Sequence, residues 1–233
     1  MYIKKLLSLF LFIYLPTVVV WGQSAQTEGT VEFRMEYKNL PPEMAGMEAM
    51  LPGSMTIRFK GEKTVLDIPS FMGRNTIINN GNERITLMEM GENRYAIRSK
   101  VTAEAAEPEI KYELQEKHET RMILGYTCKL VIARFVQDGK KLEAKIWYTE
   151  QVKITLPKSR QLPSIPLKGT PLRWEMQLPE MNAQVVMEAV KFDTKPVADS
   201  YFDIPPTFNE TTREQLIQEL GFDPFNPRGL GGR

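Results

Sequence analysis

Two adjacent runs in the middle of the chain restrict its fold more than any other feature. Met122 to Phe135 is apolar in both of its alternating sets, with Cys128, Leu130 and Ile132 set against Val131, Ala133 and Phe135. As a strand it would be covered on both faces. Across a polar Asp138-Gly139 turn, Leu142 to Thr149 places Ala144, Ile146 and Tyr148 on one side and Glu143, Lys145 and Trp147 on the other. That alternation belongs to a neighbour with one face partly wet. Together the two runs predict a hairpin near the middle of a mostly antiparallel sheet.

The flanking sequence supplies further strands. Val31, Phe33, Met35 and Tyr37 alternate with Glu32, Arg34, Glu36 and Lys38, and the segment from Ser54 to Ser99 reads as a meander. Its strands are expected at Met55–Phe59, Thr64–Ile68, Asn75–Asn79, Arg84–Met90 and Arg94–Ser99, with turns at Gly61, Gly81 and Gly91. Short, even spacing between turn residues favours a large antiparallel sheet or an open barrel over a βαβ fold. Ile110–Lys117, Leu172–Leu178 and Gln184–Phe192 alternate in the same way. Thr211 with Glu214 forms a candidate capping box for a short helix that Gly221 would stop, and Phe222 and Phe225 are positioned to dock the irregular tail beyond it.

The N-terminus has a different character. Lys4 and Lys5 precede an apolar run from Leu6 to Trp21 that ends at Gly22, the pattern of a secretory signal peptide cleaved before Gln23. Pro16 interrupts the run, which is short for a spanning helix, so no stable transmembrane anchor is expected. The predicted location is the periplasm or beyond, with the chain soluble after cleavage. The full chain carries a formal net charge of +1, and losing Lys4 and Lys5 makes it −1. Such a balance excludes a basic nucleic-acid binder.

Cysteine and histidine usage narrows the chemistry. Cys128 is the only cysteine and His118 the only histidine, so one chain cannot build an internal disulfide, an ordinary structural zinc site or a Cys/His catalytic pair. Within an apolar strand, Cys128 is expected to be buried and unreactive. His118 is expected at an exposed loop or strand end. Asp67, Asp193, Asp199 and Asp203 are available carboxylates, but none lies in a recognisable catalytic motif. The expectation is a non-enzymatic protein with no catalytic residue, no cofactor and no metal.

Two proline-bounded segments are the candidate binding elements. Leu40 to Pro52 repeats Met44, Met47 and Met50 or Leu51 at three- to four-residue spacing, which predicts one short helix with an apolar stripe. Such methionines can offer thioethers to Cu(I), or line an adaptable apolar contact; with no histidine or cysteine nearby, the second is favoured. Leu156 to Pro171 holds Leu162, Ile165 and Leu167 among four prolines, which prevent a regular central strand and suggest a rim loop.

Gly29-Thr30-Val31-Glu32-Phe33, Ile123-Leu124-Gly125-Tyr126-Thr127-Cys128-Lys129, Trp147-Tyr148-Thr149, Gly169-Thr170-Pro171-Leu172 and Phe202-Asp203-Ile204-Pro205 carry a resemblance. On these motifs the chain resembles the DUF4412 family of exported, mainly Bacteroidetes proteins, similar in architecture to LolA-like periplasmic lipoprotein carriers. The resemblance implies a mainly β fold with short helices, in which a curved antiparallel sheet or incomplete barrel encloses an apolar concavity. It divides the chain into a signal peptide over 1–22, one LolA-like β-rich domain over 23–206, and a short helix with an irregular tail over 207–233. The function it implies is a carrier or sensor for a lipid, an acylated protein or another elongated apolar ligand. Met44, Met47, Met50, Leu51, Leu162, Ile165 and Trp174 are the expected wall residues, and the expected partners are a lipid or lipoprotein acyl chain and an envelope protein. The alternative is a structural or protein-interaction module of the cell envelope with a filled core and no ligand.

Overall fold

The computed structural model describes residues 27–44, 46–71, 73–100, 110–137, 139–154, 156, 165–179 and 181–225. The signal-peptide segment over 1–22 and the end of the tail lie outside the described residues. Alternation becomes strand almost wherever the sequence shows it: β1 (Glu28–Lys38), β2 (Ser54–Lys60), β3 (Lys63–Ser70), β4 (Gly73–Asn80), β5 (Glu83–Met90), β6 (Asn93–Lys100), β7 (Glu113–Ile123), β8 (Tyr126–Gln137), β9 (Lys140–Thr149), β10 (Thr170–Leu178), β11 (Ala183–Asp193) and β12 (Asn209–Thr211). All join one sheet in the order β12-β6-β5-β4-β3-β2-β1-β11-β10-β9-β8-β7. The sheet is open, with β12 and β7 at its ends, and is not closed into a barrel. Among the described residues β12 pairs with β6 in parallel, and the other pairings are antiparallel.

Several expectations change in the folded chain, among them the strand expected at Ile110–Lys117, which runs over Glu113–Ile123. The run from Met122 to Phe135 is divided by a turn at Leu124 and Gly125, both at positive φ, so Met122 and Ile123 end β7 while β8 starts at Tyr126. Periodicity did not mark this break, because apolar residues continue straight through it. The hairpin of β8 and β9 lies beside the β7 edge and not in the middle of the sheet. The single helix expected over Met44–Leu51 is instead two 3₁₀ turns, Pro42–Met44 and Glu48–Met50, separated at Gly46, whose φ is +83°. A run this short, bracketed by Pro41 and Pro52, is too short to offset the cost of helix nucleation, and a left-handed glycine ends it.

The sheet buries both faces, in different places. On the first face, β1, β2, β8, β9, β10 and β11 contribute Val31, Phe33, Met55, Ile57, Phe59, Val131, Ile146, Tyr148, Trp174 and Met187 to the largest core cluster. Segments around Ile110–Tyr112, Ile154, Leu156, Ile165 and Leu167 pack against that cluster. On the second face, Val65, Ile78, Ile85, Leu87 and Ala96 are covered by Val197 and Phe202. Helix α1 (Arg213–Leu220) returns to the first face, where Leu216 is fully buried against Met88, Tyr95 and Ile97. Its capping box is Thr212 with Gln215, one residue later than Thr211 with Glu214, and Gly221 ends it in the left-handed conformation. Phe225 also packs on this cluster.

Candidate functional site

The register of the first face defines a candidate site. Trp174 lies opposite Met187 and Ile146, and in the adjoining row Met176 lies opposite Val185 and Ala144, with Tyr37 beside Val185. Phe33 and Trp174, their ring centroids 5.3 Å apart, are almost fully buried at the centre. Towards the end where β1 leaves the sheet, Met35, Tyr37, Met176, Leu178 and Leu142 are only partly buried, so the apolar surface there extends beyond its cover. Burial pushes the phenols of Tyr37 and Tyr112 above the ordinary tyrosine range. Residues 40–52 begin and end at this same end of the sheet, tied by the Met35 amide donating to the Gly53 carbonyl at 2.9 Å.

The expected wall residues separate into three groups. Met47 and Met50 are 42% and 40% exposed, while Met44 and Leu51 are partly buried outside the largest cluster. Ile165 packs on that cluster. Trp174, only 2% exposed, belongs to the core itself. Leu162 lies outside the described residues. Sequence reasoning missed Met35, Tyr37, Met176 and Leu178, although their alternation was visible; what it lacked was the register that lines them up across β1 and β10.

Elsewhere, charged groups pair with one another. Asp67 is held by Arg74 at 3.3 Å, Thr76 at 3.2 Å and Arg58 at 3.9 Å. Hydrogen bonding from the Lys195 amide holds the Asp193 carboxyl below its usual range, and Lys60 does the same for Asp199. On the second face Arg173 bonds both Glu175 and Glu188, and the guanidinium groups of Arg121 and Arg173 sit 5.5 and 5.4 Å from the Trp147 ring centroid. A separate cleft of about 290 Å³ lies where the 202–210 segment crosses β5 and β6, lined by Ile85, Phe202, Asp203 and Phe208. There Arg98 is paired to both Glu83 and Glu210, at 2.9 and 2.8 Å. This cleft adjoins the second face and is not continuous in sequence or register with the apolar surface of the first.

Cys128 is fully buried, and burial pushes its thiol up to about 11. A thiol whose pKa is raised on folding stabilises the fold below its unfolded value near 9, and that contribution is lost as pH rises towards 11. Urea unfolding of wild type and Cys128→Ala between pH 8 and pH 11 is expected to show an excess loss in the wild type of about 2–3 kcal/mol. Parallel pH dependences for the two proteins would contradict it. Native protein is also expected to resist thiol labelling until it unfolds.

No family model matches the chain, and no curated protein matches it. Among solved structures, the crystal structure of a DUF1329 family protein from Desulfovibrio piger ATCC 29098 is similar over 76% of this chain and 90% of that one, with 8% identity and a TM-score of 0.25. That likeness is too slight to support an inference about fold or function.

Proposed function

We propose that this is an exported, non-enzymatic carrier or sensor that holds a lipid, an acylated protein or another elongated apolar molecule against the open end of the first sheet face. The observation that carries the proposal is the row of partly buried Met35, Tyr37, Met176 and Leu178, which continues the buried surface of Phe33 and Trp174 towards solvent. Flexible thioethers suit an acyl chain, because they adapt to its shape. Met44, Met47, Met50 and Leu51 stand on the connection between β1 and β2 at this end, and Ile165 packs on the core cluster from which the surface extends. The resemblance to LolA-like carriers agrees with this assignment. A second reading, an envelope interaction module with no ligand, draws on the packing of Trp174 against Phe33, which fills the centre of the face and leaves only its rim for cargo.

Native mass spectrometry with lipid extraction of protein recovered from the cell envelope is expected to yield an apolar ligand. Each methylene removed from water adds about 0.8 kcal/mol before ordering costs, so Met47→Asp is expected to weaken binding about tenfold. Lys145→Asp, on an exposed position of β9, is expected to leave it unchanged. A folded, delipidated protein that binds no member of an acyl-chain panel would transfer the assignment to the interaction module.

A further inference from the structure

We infer that two copies of this chain pair through the outer edge of β7, antiparallel and about a twofold axis at His118, so that their sheets become one. The inference is independent of the carrier reading, and its test requires no ligand. β7 is the last strand at its side of the sheet, with no strand beyond it among the described residues. At the other side the terminal strand, β12, is three residues long, whereas β7 runs for eleven. A long unpaired edge is a template for another strand. The turn at Leu124 and Gly125 sets the phase of this edge. Both residues are at positive φ, and a two-residue turn of that kind is closed by a pair that exchanges both hydrogen bonds, here Ile123 with Tyr126. Alternation then points the N–H and C=O groups of Met122, Thr120, Glu116 and Leu114 away from β8. Between Glu116 and Thr120 three residues of β7 stand against Leu130 alone, two more than a regular ladder has, so the alternation stays in step on both sides of the bulge.

Charge complementarity along the edge selects a second copy of the same strand as the occupant. A twofold axis at His118 pairs residues equally distant from it, and each contact then occurs twice. Leu114, 38% exposed, meets Met122 of the second copy, 63% exposed, and Lys117 meets Glu119. Gln115 falls opposite Arg121 and Glu116 opposite Thr120, so no two carboxylates and no two Lys or Arg side chains face each other. Every outward-turned residue lies opposite another, as paired hydrogen bonds require. Sliding one strand by one residue breaks that phase, and sliding it by two sets Lys117 against Lys117 or Glu119 against Glu119. Charges on an edge ordinarily prevent such pairing; in this order they permit one register and oppose its neighbours. The bulge fits the same axis, because there it meets its own image and not a regular stretch of strand.

The test is sedimentation velocity at neutral pH, using protein with the N-terminus it has when recovered from the cell. Wild type is expected to show a monomer–dimer equilibrium at or below about 100 μM. Lys117→Glu would set carboxylates against each other at two places, and Glu119→Lys would do the same with ammonium groups. Each variant alone is expected to raise the dimer Kd about tenfold. An equimolar mixture of the two single variants puts opposite charges back at both places, as does the double variant Lys117→Glu, Glu119→Lys. Both are expected to return to within about threefold of wild type. Circular dichroism is expected to show every variant folded, because Lys117 and Glu119 lie outside the core clusters. A role for these side chains within one chain would not give recovery on mixing. Wild type that stays monomeric at about 100 μM, single variants that dimerise like wild type, or a mixture that does not recover would each overturn the inference.

Discussion

Trp174→Ala is expected to destabilise the protein by about 3–5 kcal/mol, measured by urea unfolding followed by far-UV circular dichroism. The indole is 2% exposed, packs on Phe33, and sits on a strand paired on both sides, opposite Met187 and Ile146. Paired backbones cannot close over the space that alanine leaves, so the cost belongs at the upper part of the range for large-to-small changes. Set against a typical domain stability of about 5–15 kcal/mol, such a loss leaves a marginal fold. Trp174→Phe keeps most of the volume and should cost about 1–2 kcal/mol. The pair of variants also separates core from wall. If Trp174→Ala unfolded like wild type yet lost a bound ligand, the side chain would face cargo, and its assignment to the core would be wrong.

Gly73→Ala is expected to cost about 3 kcal/mol or more, well above Gly91→Ala. Gly73 has φ of +143°, a region that side chains rarely occupy, and a Cβ at that position would overlap the backbone carbonyl of Glu89 on β5. Either β4 and β5 would separate at Arg74 and Glu89, or the turn bearing Phe71 would reorganise. Gly91 has φ of +61°, and the space a Cβ would take there has nothing within 4 Å, so alanine meets only the left-handed penalty of about 1–2 kcal/mol. The difference between the two variants measures the close approach of the neighbouring strand. Equal unfolding midpoints would show that the approach is not what glycine serves at position 73.

The two glycines illustrate how far local pattern carries. Both look like turn punctuation in the sequence, yet only one is locked by a neighbouring backbone, and that neighbour is set by pairing. The same limit explains the candidate site. Met47 and Met50 stood out because they repeat within one short segment, whereas Met35 and Met176 are far apart in the chain and become neighbours only through β11. Trp174 was an expected wall residue, but its burial in the core depends on Phe33 arriving from β1.

By itself, the sequence determined most of the strands, because a period of two in side-chain polarity is a property of neighbouring residues and survives without knowledge of the partner, whereas β7 runs over Glu113–Ile123 and not Ile110–Lys117, and β12 carried no such pattern. It also determined that Gly221 ends the last helix and that Cys128 is buried, since left-handed termination and an apolar strand context are local. Tertiary structure alone decided where Met122 to Phe135 breaks, which strands lie at the open edges and which half-buried side chains align into one surface. These are outcomes of register and strand order, and they arise from contacts between residues that are distant in the chain.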